Sequence, residues 1–274
     1  MSALKQRELD RIAALAYERW GLNITNEKHE LVTTRLIKHL RKSRFESPGS
    51  YIDFLESEAT HEELLEFFDV LSTNVTSFFR DPGHFAFLER DLYTPLSRGT
   101  TTLPNKAIRL WSAACSTGME PYSLAINALE SLSNPNEWDI KILATDLSNK
   151  AVAEAIRGVY PESAIASIPK NVVKKYFLKG SGANAGTVKV SPEVQRLITF
   201  RRLNLMDPWP MSGPFQSIFC RNVMIYFDVP TREKLVNRMA DLLQIGGTLV
   251  VGSCESLHGV NHPFKSAQAN IYRR

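Results

Sequence analysis

Ile108-Arg-Leu-Trp-Ser-Ala-Ala-Cys-Ser-Thr-Gly-Met-Glu-Pro121 decides the fold class. Ile108 to Cys115 is a short apolar run of the kind shown by strands buried on both faces. Ser116 to Glu120 is a turn, and Pro121 suits the first position of a helix. The alternation continues downstream with helical spacing from Tyr122 to Leu132, an apolar run from Ile140 to Thr145, and a helical stretch from Lys150 to Arg157. Ile198 to Leu205, Phe215 to Cys220 and Thr248 to Gly252 are further strand candidates, with Arg232 to Leu243 as the crossover helix before the last. Strands alternating with helices predict an α/β domain with a doubly wound parallel sheet covered on both faces.

One segment departs from this alternation. Pro161 to Pro192 contains Leu178-Lys-Gly-Ser-Gly-Ala-Asn-Ala-Gly-Thr-Val-Lys-Val190, a glycine-rich turn leading into an alternating strand. It predicts an inserted small antiparallel β-subdomain built on a hairpin.

Upstream the pattern is helical. Leu31, Val32, Leu36, Ile37 and Leu40 recur at three- and four-residue intervals, while Arg35, Lys38, His39, Arg41 and Lys42 fill much of the remaining circumference. Ser47 to Ser50 is a turn cluster, and a second amphipathic stretch runs from Tyr51 to Leu71. From Leu92 to Lys106 periodicity is lost, and Pro95, Gly99, Pro104 and three consecutive threonines mark a connector. The predicted organisation is an all-α N-terminal domain over 1–90, a linker over 91–106, and an α/β domain over 107–274 with the β insertion at about 161–192.

The chain has 274 residues, 43% of them hydrophobic, which is enough for one large and one small core. No apolar run approaches the length of a membrane span and the first ten residues are polar, so a cytoplasmic protein without membrane insertion is expected. Cys115, Cys220 and Cys254 form no CxxC pair or metal-like spacing and are expected to be reduced thiols in buried strands; no metal is expected. The net charge of +4 is modest, but its distribution is uneven. Five basic residues and no acid lie between Arg35 and Arg44, and eight acids with no Lys or Arg follow between Glu46 and Asp69. No RNA-binding module or basic-aromatic stripe is present, so no nucleic-acid partner is expected. No self-association pattern stands out, and a monomer is expected.

In a doubly wound sheet ligands bind where the first strand turns into its helix. Gly118 there lets the backbone approach a ligand, and the helix N-terminus favours an anionic group. Neither the GxGxxG nor the GxxxxGK[ST] phosphate loop is present. Asp146 ends the second strand, where an acid can accept both hydroxyls of a ribose, although it stands further from the glycine than the roughly 20 residues usual in dinucleotide sites. Asp146 can equally cap the following helix, and the two roles are compatible.

Three longer stretches carry a resemblance: Trp111-Ser-Ala-Ala-Cys-Ser-Thr-Gly-Met-Glu-Pro-Tyr-Ser123, Thr73-Asn-Val-Thr-Ser-Phe-Phe-Arg80, and Phe215-Gln-Ser-Ile-Phe-Cys-Arg-Asn-Val-Met-Ile-Tyr-Phe-Asp228. Together with Ala144-Thr-Asp146 they resemble, in order and over nearly the whole chain, the chemotaxis receptor glutamate methyltransferases. The resemblance implies a Rossmann-like domain that uses S-adenosylmethionine and releases S-adenosylhomocysteine. It implies Asn74, Thr76 and Arg80 over the cofactor, Glu120 and Asp146 on its amino and ribose groups, Asn204 and Leu205 beside the adenine, and Arg221 and Asn222 closing the site. Tyr226 would lie near the transferable methyl. Where the family has two acids before the proline, this chain has Met119 and Glu120, and Glu120 is the matching contact. Gly252-Ser-Cys-Glu255 stands where the family often shows Gly-His-Ser-Glu.

Methyl transfer from a sulfonium is an in-line displacement, and a glutamate acceptor is already ionised at neutral pH, so no general base is required. Arg80 then suits the acceptor carboxylate, its rival role being an interdomain ion pair. Tyr226 suits orientation of the acceptor or methyl, its rival role being a core aromatic. Receptor substrates of this family are helical bundles with acidic faces, to which Arg35, Lys38, Arg41, Lys42 and Arg44 are complementary, unless they form only a solvated face. The hairpin with Gly180, Gly182 and Gly186 resembles those that bind a receptor C-terminal peptide by strand addition, unless its glycines serve only the turn. An S-adenosylmethionine-dependent RNA methyltransferase is the alternative activity.

Overall fold

The computed structural model describes residues 4–72 and 75–274. The N-terminal domain has four helices, α1 (Gln6–Trp20), α2 (His29–Leu40), α3 (Pro48–Ser57) and α4 (His61–Leu71). Their apolar faces meet in one core containing Ile12, Trp20, Leu36, Leu40, Ile52 and Phe67. The stretch from Tyr51 to Leu71 is two helices, because Thr60 and Glu63 form a reciprocal capping box that starts α4 afresh. Helix α2 likewise stops at Leu40, so Arg41 to Arg44 lie in the turn that follows and do not extend a single basic helix.

The apolar contacts divide the chain earlier than the connector at 91–106. Helix α5 (Pro82–Leu88), a wide π-type turn (Glu89–Tyr93) and α6 (Thr94–Ser97) follow the N-terminal domain. Phe78, Phe85, Leu88, Tyr93 and Leu96 lie in the same core as the sheet residues Leu110 and Ile142. Residues from Phe78 onward therefore pack with the α/β domain.

That domain contains β1 (Ala107–Ser112), α7 (Met119–Ser131), β2 (Asp139–Asp146), α8 (Asn149–Arg157), β3 (Val159–Pro161), α9 (Lys170–Tyr176), β4 (Phe177–Lys179), β5 (Thr187–Val190), α10 (Pro192–Gln195), β6 (Ile198–Arg202), β7 (Phe215–Cys220), α11 (Val229–Leu242), β8 (Leu243–Val251), β9 (Lys265–Gln268) and β10 (Ile271–Arg273). Seven strands form the main sheet in the order β6-β2-β1-β7-β8-β10-β9. The pairs β6-β2, β2-β1, β1-β7 and β7-β8 are parallel, and β10 runs antiparallel to both neighbours. All six residues of β7 are buried, including Gln216 and Ser217, as befits a strand covered on both faces. The insertion is a separate sheet of order β3-β5-β4, so the expected hairpin β4-β5 has gained a third strand that begins at Val159. Gly180 is needed at its turn, since a Cβ there would clash with the Asn184 carbonyl oxygen.

Only Cys220 is a thiol in a buried strand as expected, since Cys115, although buried, lies in the turn after β1. Cys115 and Cys220 are buried, and burial pushes both well above the usual thiol range. Cys254 is exposed in the turn after β8, which corrects the expectation of a third buried strand thiol. Among the described residues no helix is long and apolar enough to cross a membrane.

Candidate functional site

The carboxyl ends of β1, β2 and β7 open beneath the N-terminal domain, and a cleft of about 260 Å³ lies between the two domains. Its floor is built by turns that the sequence shapes tightly. After β1, Cys115 N donates to the Thr145 carbonyl at 2.9 Å, and Gly118 N to the Cys115 carbonyl at 2.9 Å. Tyr160, at the start of the insertion, donates its hydroxyl to the Thr117 carbonyl at 2.6 Å and braces the turn from outside. Gly118 has φ +91°, and a Cβ on it would sit 2.7 Å from the Cβ of Ala155 on α8. Gly118 is not among the residues that line the cleft, and the close approach of α8 is by itself a sufficient reason for a glycine here.

Glu120 sits one residue into α7 and lines the cleft although only 8% exposed. Its Oε1 accepts from the Ser112 hydroxyl at 2.7 Å, and its Oε2 from Arg221 Nη1 at 2.9 Å. Arg221 reaches on to Asp81 and to the Arg80 carbonyl. Asp146 accepts backbone N–H bonds from Ser116 at 2.8 Å and Ser148 at 3.0 Å, so it fixes two turns at once. The cap of α8 is Ser148, whose hydroxyl accepts from Ala151 N at 3.0 Å. Burial raises the Asp146 carboxyl above the usual range, against those two N–H bonds and with help from Asp69 on α4. A carboxylate has about four lone-pair directions, so Asp146 keeps capacity to accept from a further donor.

The roof comes from the other domain and the segment after it. Trp20, Leu22, Phe68 and Leu71 line the cleft beside Thr76 and Arg80. Arg80 Nη1 donates to the Val75 carbonyl at 3.1 Å, and Arg80 makes no ion pair among the described residues, which removes the interdomain-pair alternative there. Asn74 lies outside the described residues.

After β7 the chain turns sharply at Asn222, whose φ is +58°. Glu255 holds this loop: Oε2 accepts from Asn222 N at 2.7 Å and Gly252 N at 2.6 Å, and Oε1 from Ile225 N at 3.2 Å. Sequence reasoning missed Glu255 as a supporting residue, although it ends the Gly252-to-Glu255 stretch that marked the family departure. Tyr226 lines the cleft, half-buried, with Lys28 Nζ 4.9 Å from its ring centroid; its hydroxyl makes no hydrogen bond among the described residues. The Tyr226 carbonyl accepts from Asn23 N at 2.7 Å, which ties the loop to the N-terminal domain. Leu205 is buried in the cleft wall. Asn204 also lines the cleft, but its amide donates to the Arg19 carbonyl at 3.0 Å and to Asp207 at 3.1 Å, holding α1 in place.

The predicted recognition residues separate into two kinds. Arg35 Nη1 donates to the Leu71 and Ser72 carbonyls at 2.7 and 2.8 Å, closing the end of α4, so it is committed to the fold. Lys38, Arg41, Lys42 and Arg44 are exposed.

A parallel sheet with a reversed strand next to its edge, and a cleft at the carboxyl ends of its central strands, defines a Rossmann-like methyltransferase domain. Residues 74–273 match the family model described as CheR methyltransferase, SAM binding domain, and residues 7–72 match that described as CheR methyltransferase, all-alpha domain. The chain belongs to this family of chemotaxis methyltransferases. It is 37% identical over 254 residues to a chemotaxis protein methyltransferase of Borreliella burgdorferi, covering 92% of this chain and 89% of the relative. It is 35% identical over 268 residues to chemotaxis protein methyltransferase 2 of Pseudomonas aeruginosa (97% and 92% covered) and 33% over 272 residues to the chemotaxis protein methyltransferase of Salmonella typhimurium (98% and 91%). The cofactor is S-adenosylmethionine, and the activity is methylation in chemotaxis.

Proposed function

We propose that this chain transfers the methyl group of S-adenosylmethionine to glutamate side chains of chemotaxis receptors. One observation carries the reading: Thr76, Arg80, Glu120, Asp146, Arg221 and Tyr226, far apart in sequence, line one interdomain cleft. In this reading Glu120 receives the cofactor's amino group and Asp146 its ribose, with Leu205 and Asn204 beside the adenine and Asn222 and Arg221 closing the wall. When bound, the cofactor would supply a methyl on a positively charged sulfur for transfer to the acceptor carboxylate, with the neutral thioether as leaving group. Arg80, which makes no ion pair among the described residues, holds the acceptor carboxylate by charge-assisted hydrogen bonds. Tyr226 orients the reacting groups through its hydroxyl, and the roof of Trp20, Phe68 and Leu71 keeps water out.

Acidic receptor helices are complementary to exposed Lys38, Arg41, Lys42 and Arg44. The small sheet β3-β5-β4 suits addition of a receptor C-terminal peptide as a further strand, and calorimetric titration with such peptides tests this; no heat with any receptor tail counts against it. The activity itself is tested by incubating the protein with methyl-labelled cofactor and either a receptor cytoplasmic fragment or total RNA. Label that enters the receptor and is released by base supports a glutamyl ester, whereas base-stable label on RNA overturns the proposal.

A further inference from the structure

At the back wall of the cleft one cation serves two carboxylates. Arg221 Nη1 donates to Glu120, while Nη2 is shared by Asp81 and the Arg80 carbonyl. The Arg221 side chain is 2% exposed, that of Glu120 10% and that of Asp81 30%. Asp81 is therefore the solvent-side partner of a buried pair.

Its local geometry is unusual for its place. Asp81 directly precedes α5, where an aspartate ordinarily turns its carboxylate to the helix's free N–H groups. It makes no such bond, and its backbone is left-handed, with φ +58° and ψ +72°. That region is unfavourable for residues with a Cβ, although Asp and Asn enter it more readily than most. The chain forgoes a cap and accepts a poor backbone conformation, and the contact made in their place is the one to Arg221.

We infer that Asp81 is a positioning residue for the cofactor, sharing Arg221 with Glu120 so that Glu120 keeps negative charge free for a ligand ammonium group. The inference rests on the reading that Glu120 receives the cofactor's amino group. Glu120 already accepts from Ser112 through Oε1. With Asp81 present, the three ionised groups sum to one excess negative charge at the wall. Without it, Arg221 and Glu120 form a neutral pair, and an incoming ammonium has to compete with a guanidinium for the same carboxylate. Arg221 would still hold the Arg80 carbonyl, so the effect of Asp81 is mainly one of charge.

Two variants of the full chain remove that charge while tolerating the left-handed backbone, Asp81→Asn and Asp81→Gly. Calorimetric titration compares S-adenosylhomocysteine, which carries the ammonium, with 5′-methylthioadenosine, which has the same nucleoside and thioether but lacks the amino-acid portion. Both variants are expected to weaken S-adenosylhomocysteine by roughly tenfold while changing methylthioadenosine by less than about twofold. Equal weakening of the two ligands assigns Asp81 to loop shape alone and overturns the inference, as does unchanged S-adenosylhomocysteine affinity. Glu120→Gln separates the inference from the reading beneath it. If that variant loses S-adenosylhomocysteine selectively and the Asp81 variants do not, the Asp81 role fails; if it weakens both ligands equally, the ammonium assignment itself fails.

Discussion

Replacing Gly118 by alanine separates two reasons for a glycine at the first turn of the sheet: approach of a ligand, or approach of helix α8. A Cβ built at Gly118 lies 2.7 Å from the Ala155 Cβ, 3.0 Å from its Cα and 3.2 Å from the Tyr160 hydroxyl. The first distance is 0.7 Å inside the 3.4 Å where ordinary contact begins, and the second involves backbone that cannot rotate away. Holding a Cβ-bearing residue at φ +91° adds a left-handed backbone cost of about 1–2 kcal/mol. Overpacking adds about 1–3 kcal/mol, so Gly118→Ala should destabilise the protein by roughly 2–5 kcal/mol. Urea unfolding followed by circular dichroism measures this. Adding Ala155→Gly relieves only the nearest contact and should couple favourably by about 1 kcal/mol in a double-mutant cycle, with the backbone cost remaining. The folded fraction of Gly118→Ala should bind S-adenosylhomocysteine nearly as wild type does. Full stability combined with collapsed affinity would refute the packing argument and restore the glycine to the ligand.

Arg80→Ala should lower methyl transfer by about 100-fold or more with a much smaller change in cofactor affinity, measured by label incorporation and calorimetry; normal turnover would remove Arg80 from the mechanism. Arg41→Glu with Lys42→Glu should lower kcat/KM for receptor, most strongly at low salt, and leave cofactor binding unchanged; equal methylation at moderate salt would reject that surface. His84 is buried, and burial, with Arg221 nearby, depresses it from 6.5 to about 4. Protonation is thus disfavoured in the fold, so its stabilisation is complete above pH 6.5 and is lost as pH falls toward 4, by up to about 3 kcal/mol. Denaturation at a series of pH values should show a shallower acid slope in His84→Gln, and identical slopes would contradict the link.

The central sheet was legible because burial concentrates apolar residues in short runs: Ile108, Leu110 and Trp111 mark β1, Ile140, Ile142 and Leu143 mark β2, and Ile218 to Cys220 mark β7. The edge pair was not. β9 is Lys-Ser-Ala-Gln, fully exposed, and β10 is three residues long, so neither carries a pattern that burial would impose. The break between α3 and α4 was written in Thr60 and Glu63, but apolar spacing runs through it and masked the cap. At the site, Glu120, Asp146, Arg221 and Tyr226 line one cleft, an arrangement the family resemblance implied and only Asp146 signalled by its place at a strand end. Asp81 and Glu255 were overlooked because a single acid in a loop has no spacing signal; only the fold shows that each holds Arg221 or the loop after it. Arg35 illustrates the converse, since a basic residue on a basic helix turned out to close a neighbouring helix.

A single S-adenosylmethionine site assembled between the two domains is directly visible in a crystal structure of the chain with S-adenosylhomocysteine. The expected result places the amino group at Glu120, the ribose hydroxyls at Asp146, the adenine against Leu205, and the sulfur facing Tyr226 and Arg80. A nucleoside bound outside this cleft, or inside it with Glu120 and Asp146 untouched, would contradict the account.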